Sequence, residues 1–77
     1  EFEYALPKLN FIKQETNNDI QVGDVLLFEG QQDSLSHVAL YIGDMMILNH
    51  SIRALSCREL FSLKYQKTLR GVYRYAA

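Results

Sequence analysis

Residues 37 to 50 read HVALYI-GD-MMILNH, two apolar runs rich in β-formers on either side of a Gly-Asp pair. Gly at the first central position suits a tight two-residue turn, so the pattern predicts antiparallel strands over His37 to Ile42 and Met45 to His50. A hairpin alone is marginal in water and needs further strands or a helix against one face. The rest of the chain offers them. Val25-Leu26-Leu27-Phe28, fed by a turn at Val22-Gly23-Asp24, is an apolar run of strand length. Leu69 to Tyr75 alternates, with Leu69, Gly71, Tyr73 and Tyr75 on one face and Arg70, Val72 and Arg74 on the other. Ser56-Cys57-Arg58-Glu59 has the S-x-x-E form of a capping box, which predicts a short helix from Cys57 to about Tyr65. Pro7 argues against regular structure around it, and Asn10 to Glu15 fits either a short strand or a helical turn. The expected fold is α+β: a small antiparallel β-sheet or partial barrel of about four meandering strands with one short helix.

Seventy-seven residues hold one domain or part of one, divided here into a less readable segment, 1–19, and the patterned region 20–77. Apolar residues at 48% against 22% charged describe a globular chain. A formal charge of −1 gives nucleic acid or an anionic membrane no electrostatic hold. No apolar run approaches the roughly 18 residues of a membrane span. The single cysteine, Cys57, excludes an internal disulfide and a four-cysteine zinc site, and no cofactor motif appears. A core this small supplies only about 3–5 kcal/mol. With no staple to add to it, the chain reads as part of a larger fold, with exposed apolar surface and self-association expected. Phe2, Tyr4, Leu6, Leu9, Phe11 and Ile12 supply apolar surface that could cap a sheet edge or face.

The two histidines lie in the hairpin, and its register decides their neighbours. A two-residue turn at Gly43-Asp44 sets His37 opposite His50 on one face. A three-residue loop, Gly43 to Met45, sends His50 to the other face and sets Asn49 diagonally across from His37. A slip of one residue exchanges the faces of a whole strand. Either neighbour has a chemical use. A histidine base needs its second ring nitrogen held, and Asn or His can hold it. Histidines on a strand also serve as ordinary structural or solvated residues. Cys57 reads three ways: as a small packing residue, as a nucleophile at a helix start, or as a zinc ligand with His37 and His50. The last matches no standard zinc spacing.

The stretch GDVLLF, then SHVALYIGDMMILNH, then LSCRELF, resembles the second half of NlpC-type cell-wall cysteine peptidases. More narrowly, it is similar to the tail-tip assembly proteins of lambda-like phages. The likeness runs from about Val22 to Tyr75. It implies the β half of a compact papain-like fold, whose helical half carries the nucleophilic cysteine in an Asp-Cys-x-Gly context. The family's histidine matches His37, and its third polar residue, twelve positions on, matches Asn49. Phage relatives often carry two histidines there, which makes His50 the alternative. The resemblance thus favours the longer loop. It also exposes a departure, since no cysteine precedes His37 and Cys57 lies where the family has no nucleophile.

Two functional expectations follow from the resemblance. In the first, the chain is the histidine-bearing part of a phage tail peptidoglycan endopeptidase, inactive by itself because it lacks the nucleophilic cysteine. Its partners would be peptidoglycan stem peptides and other tail proteins. Its place would be the virion tail tip, reached through the host cytoplasm during assembly and meeting the cell wall during entry. In the second, it is a non-catalytic structural tail module or prophage remnant.

Overall fold

The computed structural model describes residues 2–30, 37–50 and 56–76. A short helix α1 (Phe2–Lys8) leads into strand β1 (Phe11–Lys13). Strands β2 (Val25–Phe28), β3 (His37–Gly43), β4 (Met46–His50) and β5 (Ser56–Leu60) follow. Helix α2 (Leu63–Thr68) and strand β6 (Leu69–Tyr75) complete the order. All six strands join one antiparallel sheet in the order β1-β6-β2-β3-β4-β5. The α+β class, the meander through β2, β3 and β4, and the final strand agree with the sequence. The sheet has six strands where about four were expected, because β1 and β5 add an edge at each end. No helix among the described residues is long and apolar enough to cross a membrane.

The continuous run VLLF is apolar on successive residues because β2 is covered on both faces. Leu26 and Phe28 point one way, with Ala39, Ile47, Val72 and Phe61, and helix α2 adds Tyr65 to that cluster. Leu27 points the other way, against Tyr73 and Leu6 of α1. The N-terminal segment therefore covers part of one face through Leu6. Phe11 packs beside Tyr75 at a ring separation of 5.4 Å, while Tyr4, Leu9 and Ile12 remain exposed. Pro7 sits inside α1, contrary to expectation. It falls in the last turn, where the missing amide costs little before the chain leaves the helix through Asn10 at φ 66°.

Two further expectations are corrected. The S-x-x-E segment is strand, not helix: Ser56 to Leu60 pair with His50 to Met46. Helix α2 begins only after Ser62, which makes no side-chain cap hydrogen bond. Pairing with β4 over five residues bonds the inner edge of this backbone, and that outweighs the local capping preference. In β6 the strict alternation breaks. Leu27 pairs with Gly71 but Phe28 pairs with Leu69, so Arg70 is the extra residue of a bulge and Leu69 joins the Val72 cluster.

The β3–β4 turn combines the two registers considered. Its central residues are Asp44 (φ 52°) and Met45 (φ 60°), both left-handed as a type I′ turn requires. Gly43 pairs with Met46, and a bulge at Ile42 shifts the remainder, so Tyr41 faces Ile47, Leu40 faces Leu48 and Ala39 faces Asn49. Beyond the bulge this is the register of the three-residue loop. Met45 holds its unusual conformation through its backbone: its N–H donates to the Tyr41 hydroxyl (3.1 Å) and its carbonyl accepts from Phe61 N–H (2.7 Å).

Asp24 ties the far end of the sheet together. The residue is 1% exposed. It accepts two hydrogen bonds from Arg74, both 2.9 Å, and one from the Gln21 amide. The same guanidinium donates to the Asp19 carbonyl, so one ion pair fixes the entry to β2 against β6.

Arg74→Met leaves the buried Asp24 carboxylate without its cation. Its melting temperature is expected to fall by about 5 °C or more, while Arg58→Met, on an exposed residue, changes little. Met45→Asn, at a position that Asn tolerates better in the left-handed region, is expected to add about 0.5 kcal/mol, seen as a rise of about 2–4 °C in the same thermal scans.

Candidate active site

His37 opens β3 and pairs with Phe28, so its side chain shares the face that carries Ala39 and the main core cluster. The imidazole stacks on the Phe28 ring at a centroid separation of 5.0 Å and an angle of 23°. Tyr65 of α2 meets it edge-on at 6.1 Å. Phe28 is fully buried, so the plane of the histidine ring rests on an immobile partner.

On the neighbouring strand, Asn49 is diagonal to His37. Its side-chain oxygen lies 3.3 Å from the histidine Nε2. Asn49 is 7% exposed and makes full use of its amide. Its Nδ2 donates to the Glu59 carboxylate on β5 and to the Tyr65 hydroxyl at 3.1 Å. The Tyr65 hydroxyl in turn donates to the same Glu59 oxygen at 2.8 Å. Glu59 reaches this face because it pairs with Ile47, two positions before Asn49.

The hydrogen bond from Asn49, then that from Tyr65, holds the Glu59 carboxyl below its ordinary value of 4.5. Positive potential from Lys64 and His37 adds to them, against the opposing effect of burial. The group is therefore an ionised acceptor at neutral pH.

Of the residues singled out from the sequence, the structure brings His37 and Asn49 together. His50 ends β4, and Cys57 pairs with Asn49 along the backbone of β5. The side chains of His50 and Cys57 lie outside the described part of the chain. Cys57 sits on a strand, so the helix start invoked for a lowered thiol pKa is not there. Sequence reasoning missed Glu59 and Tyr65. Assigning Glu59 to a helix cap hid it. The alternative signal was a second hairpin after β4, which puts residue 59 diagonal to residue 49.

A family comparison stands beside this histidine–asparagine geometry. The model described as the NlpC/P60 family matches residues 4–74. The chain belongs to the NlpC/P60 family. It is thus a domain of the cell-wall peptidase type, and the match takes in most of the N-terminal segment as well as the sheet. Searches of curated proteins and of solved structures give no match.

Glu59 gives the NlpC/P60 domain a measurable acid limb. A carboxyl with a depressed folded value contributes stability that is complete above pH 4.5 and is lost as the pH falls through the folded value. Thermal scans from about pH 6 to about pH 3 are expected to show a loss of stability that is shallower in Glu59→Gln than in the unmodified chain.

Proposed function

We propose that this chain is the histidine-bearing half of a papain-like cysteine peptidase site, acting on the peptide stems of peptidoglycan, of the kind found in tail-tip assembly proteins of lambda-like phages. The observation that carries the reading is the His37–Asn49 hydrogen bond on adjacent strands, in a chain of the NlpC/P60 family. In the reaction a thiolate attacks the γ-carbonyl carbon of D-glutamate and the bond to the next residue's amine breaks. His37 takes the thiol proton and returns it to the leaving amine, and water then releases the acyl group from sulfur. Asn49 keeps the imidazole oriented through both proton transfers. The thiol comes from outside these residues, since the one cysteine is Cys57 on strand β5. The site would work at the tail tip, against the cell wall during entry.

A second reading, a structural tail module or prophage remnant that keeps the fold without the reaction, is favoured by the same placement of Cys57. Members of a catalytic set act as a unit, so a site without its nucleophile retains little activity.

The test combines turnover with binding. The purified chain is expected to leave a γ-D-glutamyl-diaminopimelate peptide uncleaved. The same peptide is expected to shift the NMR resonances of His37 and Asn49. Hydrolysis that disappears in Cys57→Ser would overturn the claim of inactivity. Absence of any shift at millimolar peptide would decide for the structural module.

A further inference from the structure

We infer that Glu59 and Tyr65 are positioning residues that dictate which nitrogen of His37 carries the proton, by fixing the orientation of the Asn49 amide between them.

The donors and acceptors around the Asn49 amide fix its orientation. An asparagine amide offers two N–H donors on one side and an acceptor oxygen on the other, and its orientation follows from its neighbours. The Glu59 carboxylate accepts only. The Tyr65 hydroxyl donates its single proton to that carboxylate and so faces Asn49 as an acceptor. Both neighbours demand donors, and the two Asn49 Nδ2 hydrogens supply them. The reverse orientation would set the amide oxygen against a carboxylate oxygen with no proton between them.

The remaining Asn49 atom, Oδ1, accepts only. The ring nitrogen beside it, Nε2 at 3.3 Å, must then be the protonated one. In a neutral imidazole this leaves Nδ1 with the free lone pair. The direction of polarity thus runs from Glu59 through Asn49 to His37, and the basic nitrogen is chosen two residues away. Phe28 and the edge of Tyr65 hold the ring in plane but cannot choose between its nitrogens.

The inference deepens the peptidase reading, since the base that takes a thiol proton would be Nδ1. Its test reads the free chain without substrate, so failure of that reading leaves the outcome legible. Long-range proton–nitrogen NMR at about pH 8.5, two units above the ordinary imidazole value, reports the tautomer. The His37 ring is assigned by its absence in His37→Gln. The unmodified chain is expected to show Nε2–H. Glu59→Gln, which can still present an acceptor oxygen, should keep it. Glu59→Lys presents donors instead, so the amide should turn over and the ratio of Nε2–H to Nδ1–H fall by about tenfold, the scale of one hydrogen bond. Should Glu59→Lys fail to fold, Glu59→Leu replaces it, with a rise in the Nδ1–H fraction expected. An Nδ1–H ring in the unmodified chain, or a folded Glu59→Lys or Glu59→Leu variant with an unchanged ratio, would overturn the inference.

Discussion

The bulge at Ile42 and the left-handed turn at Asp44–Met45 together set the register between β3 and β4, and the site depends on that register. Without the bulge, the register of Gly43 opposite Met46 would carry back along the strand and every earlier residue of β3 would meet a different partner. With it, Ala39 faces Asn49, and Asn49 comes to lie diagonal to His37 on the face that α2 covers. The cost of holding Met45 at positive φ is offset by two backbone hydrogen bonds, one to the Tyr41 hydroxyl and one from Phe61. Tyr41 and Phe61 also pack against each other at 6.2 Å, so the turn is fastened to the core that it helps to align.

Burial and polarity are separated along the same face. Leu26, Phe28, Ile47 and Val72 are fully buried and fill the centre. The polar residues Asn49, Glu59 and Tyr65 occupy the margin, where each finds a partner. A half-satisfied set of polar groups at this depth would destabilise the sheet. Among the described residues no buried side-chain nitrogen or oxygen lacks a hydrogen bond.

Much of the sheet was legible in the sequence because apolar runs report strand burial directly. VLLF, HVALYI and MMILNH became β2, β3 and β4 with boundaries close to those expected. The approach of Asn49 to His37 was legible through spacing and resemblance. What escaped were features decided by distant contacts. Ser56 to Glu59 carries a local helix signal, and only the presence of β4 beside it makes a strand the better solution. Phe11 to Lys13 is too short to read as a strand until Tyr73 to Tyr75 are there to pair with it. Tyr65 sits sixteen positions from Asn49 with no shared motif to connect them.

Strand β5 is the last in the sheet, bonded on one side to β4. Marginal strands are where native proteins open first, with a free energy well short of global unfolding. Each such excursion would carry Glu59 away and free the Asn49 amide to rotate. Amide exchange along residues 56–60 therefore measures more than local order: it sets an upper limit on how long the histidine keeps one chemical identity.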